Sequence, residues 1–174
     1  QPGSVFKPFV YTTALNNGYP VTEQLLNQPV VLNIQNMDGN WVKWKPQNYD
    51  GSTGGLTTFR EGLRKSMNLI SVRMVQQDIA PAEQVKQTAK RMGINTDIRA
   101  VDAIALGTSE VFPMEMVAAY SALANKGVYS KPFAITKIED RYGNVIKDYF
   151  PERREVLSEE TAYLMTNMMQ TVMD

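Results

Sequence analysis

The chain has 174 residues, 43% of them hydrophobic, which is enough for one ordinary domain or most of a larger one. Eighteen Lys and Arg balance eighteen Asp and Glu, so nothing offers the basic face that nucleic acid or an anionic membrane surface needs. The absence of histidine and cysteine excludes Ser-His-Asp triads, Cys-His dyads, His-ligated metal sites and disulfides. Nucleophilic catalysis must therefore use Ser, Thr or a carboxylate, with Lys, Glu or Asp as the base.

The first predicted element is a helix that begins near Ser4. Pro8 fits only its first turn, where the missing N–H has no partner, and Asn16-Asn17-Gly18 ends it. The segment that follows is irregular and rich in Asn, Pro and Gly. We predict one short strand there, at 30–34, and a turn at Asp38-Gly39.

Helical signals return in the middle of the chain. Residues 58–61 have the Thr-x-x-Glu spacing of a capping box, which opens a short helix to about Lys65. Ser66-Met67-Asn68 interrupts the pattern, and a second helix runs on to Ile79. Pro81 fits the first turn of a further helix.

The last third combines helices with a β-hairpin. A helix is predicted at 113–125, and the pattern then alternates, which predicts a β-hairpin at 129–149. Ser158 caps a final helix into Met173. This helix carries an apolar stripe that we assign to core packing, formed by Met165, Met168, Met169 and Val172. Together these elements predict a mostly helical lobe with a small β element.

Ser4-Val5-Phe6-Lys7 is the first group of residues suited to chemistry. On a helix, positions i and i+3 share a face with Cβ atoms ~5–6 Å apart, so a hydroxyl and an amine can hydrogen-bond. A first-turn serine also lies at the positive end of the helix dipole, which favours a developing alkoxide. Lysine acts as a base only where burial or a nearby cation lowers its pKa. Taken alone, the motif is more often an ordinary N-cap serine and a solvated lysine than a catalytic pair.

Ser66-Met67-Asn68 is the second group. A loop between two helices can project a hydroxyl and an amide into one cleft, which would suit substrate binding. The alternative is structural, with Ser66 ending one helix and Asn68 capping the next.

In this order the two groups resemble the S-x-x-K and S-x-N motifs of penicillin-binding proteins and class A β-lactamases. The wider sequence resembles the transpeptidase domain of class A (bifunctional) penicillin-binding proteins over nearly its whole length. Five ordered blocks carry this resemblance, at residues 1–9, 44–51, 57–68, 106–111 and 115–127.

The resemblance implies a role for each motif residue in a peptidoglycan D,D-transpeptidase. Ser4 would attack the penultimate D-alanine carbonyl of a stem peptide, and Lys7 would take the serine proton. Ser66 would pass a proton to the leaving nitrogen, and Asn68 would hydrogen-bond the substrate backbone. The acyl group would then pass to an amine on a neighbouring stem, and β-lactams would acylate the same serine. No metal or other cofactor is implied.

The implied fold is the α/β (α+β) fold of serine D,D-peptidases and β-lactamases. The family's third motif, K-[ST]-G, does not occur in these residues. In the family it lies on a sheet strand that supplies part of the oxyanion hole. We therefore expect 1–174 to be a partial domain, mostly helical lobe plus a β-hairpin, with much of the central antiparallel sheet missing. Alone, it is expected to be inactive.

A β-lactamase and a β-lactam sensor of the same superfamily are the alternative functions. A β-lactamase needs a carboxylate that holds a deacylating water. Glu23-Gln24-Leu25-Leu26-Asn27 copies the E-x-x-L-N pattern that supplies it, but here this pattern precedes the S-x-N motif, so we interpret it as coincidence. The blocks at 44–51 and 115–127 favour the synthase over the sensor.

The resemblance also predicts a location at the extracytoplasmic face of the bacterial cytoplasmic membrane. No stretch approaches the ~18 apolar residues of a membrane span, and no signal peptide opens the chain. The chain starts at Gln1 without an initiator methionine. We therefore expect a fragment whose N-terminal membrane anchor lies elsewhere.

Overall fold

A computed structural model describes residues 1–35 and 39–173. The helices in these ranges are α1 Lys7–Asn16, α2 Phe59–Arg64, α3 Asn68–Gln76, α4 Ala82–Arg91, α5 Pro113–Ala124 and α6 Glu159–Gln170, with 3-10 helices at Gly3–Phe6 and Asp102–Leu106. The strands are β1 Gln24–Leu26, β2 Leu32–Gln35, β3 Trp41–Trp44, β4 Leu56–Thr58, β5 Val128–Ser130, β6 Lys137–Glu139, β7 Val145–Asp148 and β8 Arg153–Glu155. They form four antiparallel pairs: β1 with β4, β2 with β3, β5 with β8, and β6 with β7.

Helix α1 lies at the centre of the fold. It is buried from Lys7 to Ala14 and contacts α3, α4 and α6. The predicted helix start is confirmed, with the difference that Ser4 lies in a 3-10 helix and the α-helix begins at Lys7. Pro8 occupies the first turn of α1, as its missing N–H requires. The side chains in the first turn of α1 are buried in the core.

Helices α2 and α3 form as predicted, and the Thr58 cap opens α2. Thr58 Oγ1 accepts a hydrogen bond from the backbone N–H of Glu61 at 3.2 Å. The chain then breaks at Ser66, whose φ of +51° is left-handed, an unusual conformation for a residue other than glycine. The backbone N–H of Met67 donates to the Gly62 carbonyl across this break, and α3 begins at Asn68.

The hairpin predicted at 129–149 is shorter in the structure and starts later. Strands β6 and β7 form a hairpin within it, but Tyr129 belongs to β5, which pairs with β8. Pro132 lacks the N–H that a continuous strand would need after β5. Tyr129 is buried, and the Arg154 guanidinium lies 5.0 Å from its ring centre. The alternating pattern of residues 129–149 did not predict this contact between Tyr129 and Arg154.

The remaining elements agree with a helical lobe that carries short strand pairs. A strand forms at β2, two residues later than the predicted 30–34, and Asp38 of the predicted turn lies outside the described residues. Gly39 has the φ of +81° that such a turn favours. Within 1–35 and 39–173, no helix combines the length and apolar character needed to cross a bilayer.

The methionine stripe of α6 gives a test of this core. Met165 and Met168 are fully buried and Met169 packs against the core, but Val172 is 47% exposed, so the stripe ends before it. We predict that Met165→Ala lowers the free energy of unfolding by about 2–5 kcal/mol, because it removes buried contacts and leaves a cavity. Urea denaturation of the full natural polypeptide containing these residues measures this change.

Met173→Ala is the matched control, since Met173 is 88% exposed and its truncation is expected to have little effect. Equal losses for the two variants would contradict this placement of α6.

Candidate active site

Ser4 lies in the 3-10 helix Gly3–Phe6, immediately before α1, and is exposed. The backbone N–H of Lys7 donates to the Ser4 carbonyl, so the two residues share one turn. On the other side, the Gly3 N–H donates to the Gly107 carbonyl at 3.2 Å. The turn therefore presents the Ser4 hydroxyl to solvent from a backbone that the protein holds in place.

Gly107 is one residue that sequence reasoning did not assign to the site. Its φ is +65°, and a Cβ there would collide with the Gly3 carbonyl oxygen and the Phe6 side chain. Only glycine allows this close approach between the 3-10 helix Asp102–Leu106 and the Ser4 turn. Gly107 lies in the block at 106–111, which resembles the family but to which the sequence assigned no function.

The Lys7 amine is completely buried and joins the two motifs. Its Nζ donates to the Ser66 carbonyl at 2.5 Å, to Ser66 Oγ at 3.0 Å and to Asn68 Oδ1 at 2.8 Å. The hydrogen bond that spacing allows between Ser4 and Lys7 does not appear among the described residues. All three hydrogens of the ammonium are already used by Ser66 and Asn68.

These three contacts suit both charge states of the amine. A charged Lys7 donates three hydrogen bonds, whereas a neutral Lys7 can donate to the two carbonyl oxygens and accept from the Ser66 hydroxyl. A proton can therefore move between Lys7 and Ser66 without breaking the cluster. The Lys7–Ser66 pair can therefore accept a proton from one reacting atom and donate a proton to another, as general acid–base catalysis requires.

Burial lowers the pKa of Lys7 from its ordinary value of 10.5 to about 8. The three contacting groups are neutral, so no carboxylate among them holds the proton on the amine as an ion pair would. The amine is therefore able to lose its proton near neutral pH, which is the property a lysine base requires.

Asn68 does not cap α3, although that was the structural alternative for it. Its Oδ1 accepts from Lys7, and its Nδ2 donates to the Gln47 carbonyl at 2.8 Å. The capping function falls to Asn48, whose Oδ1 accepts from the Leu69 N–H at 3.1 Å. The Asn68 side chain is thus free to hold the Lys7 amine and orient it.

Asn48 is buried and links this helix start to the rest of the fold. Its Nδ2 donates to Asn27 Oδ1 and to the Ser52 carbonyl, both at 2.8 Å. Asn27 belongs to the E-x-x-L-N segment and is itself buried, so its side chain has a structural role. Sequence reasoning singled out the block at 44–51 but could not assign this network to Asn48.

Together the structure brings Lys7, Ser66 and Asn68 into one cluster, with Ser4 on the preceding turn. An exposed hydroxyl, a buried amine of lowered pKa, a second hydroxyl and an orienting amide are the groups that lysine-dependent serine acyl transfer needs. No histidine is required for such chemistry.

The comparisons with known proteins agree with this class of site. The family model "Penicillin binding protein transpeptidase domain" matches residues 1–174, so the chain belongs to the penicillin-binding protein transpeptidase family. The resemblance identified from the motifs is confirmed.

Similar proteins include penicillin-binding protein 1A of Aquifex aeolicus, 34% identical over 174 residues, which cover 99% of this chain and 23% of that protein. Penicillin-binding protein 1A of Neisseria meningitidis serogroup A is 33% identical over 178 residues, covering 99% of this chain and 22% of the relative. The chain thus spans about a fifth to a quarter of these relatives' lengths.

Solved structures confirm the fold class. Penicillin-binding protein 1A from Haemophilus influenzae superposes with a TM-score of 0.89 at 26% identity, over 98% of this chain and 29% of that one. The penicillin G acyl-enzyme complex of penicillin-binding protein A from M. tuberculosis has a TM-score of 0.83 at 21% identity, over 99% of this chain and 43% of that one. The described helices and strand pairs are therefore part of this α/β fold.

The buried amine predicts a distinctive pH dependence of stability. Between pH 8 and 10.5 the folded state has lost the Lys7 proton while the unfolded state still holds it, so stability rises with pH in that window. Relative to Lys7→Met, the wild-type free energy of unfolding should gain up to about 3 kcal/mol across it. Urea denaturation at several pH values gives this difference.

Lys45→Met is the control, because Lys45 is exposed. The change with pH should be larger for Lys7→Met than for Lys45→Met. A Lys7→Met difference that stays constant over this pH range would show that the Lys7 amine keeps its ordinary pKa.

Proposed function

We propose that this chain carries the acylation site of a peptidoglycan D,D-transpeptidase, which cross-links stem peptides through a serine acyl-enzyme and is acylated by β-lactams. The observation that carries the proposal is the buried Lys7 amine, which binds Ser66 and Asn68 one turn after the exposed Ser4. Family membership supports it, as do related folds that form acyl-enzymes with penicillin G and imipenem.

In this proposal Ser4 is the nucleophile. Its Oγ bonds to the carbonyl carbon of the penultimate D-alanine of a stem peptide while neutral Lys7 takes the hydroxyl proton. The bond to the terminal D-alanine nitrogen then breaks, and that nitrogen receives a proton through Ser66 from the Lys7 ammonium. Terminal D-alanine leaves, and an ester joins the stem peptide to Ser4.

The second half of the reaction reverses these proton transfers. An amine of a neighbouring stem attacks the ester carbonyl and loses a proton to the Lys7–Ser66 pair, and Ser4 leaves with a proton. Asn68 hydrogen-bonds the substrate backbone, and its Oδ1 holds the Lys7 amine in place. β-Lactams enter the same first step, because their amide carbonyl presents the same electrophile to Ser4.

Glu61, which lies five positions before Ser66, is poorly suited to act as a deacylating base. Glu61 is held by Arg64 at 2.7 Å and Lys65 at 2.9 Å, and these contacts lower its pKa to about 2. The contacts of Lys7 are to Ser66 and Asn68, neither of which is acidic. The site therefore favours a lasting acyl-enzyme over the rapid hydrolysis of a β-lactamase.

The proposal extends to the cellular location of the whole protein. We place it at the extracytoplasmic face of the cytoplasmic membrane, where peptidoglycan is cross-linked, with an anchor outside these residues. Class A relatives support this placement. Residues 1–174 contain no K-[ST]-G triplet, so we expect acylation only where that motif's oxyanion donor is also supplied.

Labelling with a fluorescent penicillin tests the proposal. In the full natural polypeptide, we expect one stoichiometric adduct, mapped by peptide mass spectrometry to Ser4, and no labelling of Ser4→Ala. Ser109→Ala is the control, since Ser109 is partly accessible and lies two residues after Gly107; this variant is expected to keep full labelling.

The chromogenic β-lactam nitrocefin separates the transpeptidase from the alternatives. A stoichiometric burst followed by little turnover is expected. Full labelling of Ser4→Ala would refute the nucleophile assignment, and sustained rapid hydrolysis would place the protein among the β-lactamases.

A further inference from the structure

Tyr120 of α5 reaches across the fold to the backbone next to Ser4. Its hydroxyl donates to the Val5 carbonyl oxygen at 2.6 Å, although 115 positions separate the two residues. We propose that Tyr120 is a positioning residue, which holds the Ser4 turn in the geometry needed for acylation. The inference rests on the proposed function, since it concerns the same nucleophile.

The Ser4 turn needs an external hold because its own hydrogen bonding is incomplete. An α-helical turn would bond the Ser4 carbonyl to the N–H of residue 8, but Pro8 has none. The Ser4 carbonyl instead receives the Lys7 N–H in 3-10 geometry, which is poorer. A turn built this way can shift unless other parts of the fold fix it.

Two tertiary hydrogen bonds fix it from opposite sides of Ser4. Gly3 N–H donates to the Gly107 carbonyl, and Val5 carbonyl accepts from Tyr120. Ser4 itself is exposed, and its hydroxyl has no hydrogen bond to the described residues. The position of Ser4 Oγ therefore depends on how Gly3 and Val5 are held. Of these two contacts, the one to Val5 comes from a side chain, Tyr120, and can be removed by substitution.

Tyr120 is well placed to act as a fixed donor. Its ring packs edge-on against Phe9 of α1, with ring centres 6.4 Å apart and an interplanar angle of 81°. Burial raises the pKa of Tyr120 to about 12, so the hydroxyl stays a donor at any working pH. Helix α5 is itself tied down, because Glu115 accepts from the N–H groups of Asn95 and Thr96 and from Thr96 Oγ1.

Loss of this bond should affect the chemical step more than binding. Without this hydrogen bond the Ser4 turn is held less firmly, and a nucleophile displaced from its attack position reacts more slowly. We therefore expect Tyr120→Phe, which removes only the hydroxyl, to lower the acylation rate constant about tenfold. The apparent dissociation constant of the initial non-covalent complex should change less than about twofold, because the bond does not contact the ligand.

Saturation kinetics with penicillin on the full natural polypeptide measure both constants. Tyr163→Phe is the matched control, because Tyr163 is 67% exposed on α6 and no hydrogen bond of its hydroxyl is present in the described chain. Both variants should melt within a few degrees of wild type. Unchanged acylation by Tyr120→Phe, with wild type labelled at Ser4, would overturn this inference and leave the proposed function intact.

Hydrogen–deuterium exchange gives a readout that does not depend on activity. Peptides that cover residues 3–6 should exchange faster in Tyr120→Phe than in wild type or Tyr163→Phe. Unchanged exchange in this segment would also overturn the proposal. If wild type exchanges as expected but is not labelled at Ser4, the proposed function fails and Tyr120 has no catalytic role to serve.

Discussion

The burial of one amine organises the whole site. Lys7 lies inside the protein, and within residues 1–35 and 39–173 its amine contacts the neutral groups of Ser66 and Asn68 rather than a carboxylate. The central position of α1, the left-handed Ser66 and the Asn48 cap on α3 all serve to place those contacts. Desolvation of the charged amine costs folding stability, and it also lowers the pKa of Lys7, as a lysine base requires.

Much of the local structure could be predicted because its causes are local. Pro8 marks the first turn of α1, and the Thr58 hydroxyl caps α2, each within four residues of the effect. The motif serines and lysine were identified by their spacing and by resemblance, and the structure brings Lys7, Ser66 and Asn68 together. Their catalytic roles remain proposals.

What could not be predicted depends on partners that are distant in sequence. Asn48 caps a helix 20 residues downstream, and Gly107 allows the approach of the Ser4 turn. Local alternation predicted one long hairpin, whereas β5 pairs with β8 because Tyr129 finds its buried contacts there. The Ser4–Lys7 hydrogen bond that the spacing allows is absent among the described residues, because Ser66 and Asn68 bind the amine. Spacing along the chain indicates which groups lie close together, but it does not determine which of them form hydrogen bonds.

The most direct test of this account is the pH dependence of the acylation rate constant in the full natural polypeptide. If the neutral amine is the base, as proposed, the rate should rise with pH and reach half its maximum near the Lys7 pKa of about 8. Lys7→Arg keeps the charge but cannot release its proton, so its rate should be at least about 10²-fold lower and independent of pH over this range. A wild-type rate that does not change with pH, or a Lys7→Arg rate within a few-fold of it, would contradict the central role of Lys7.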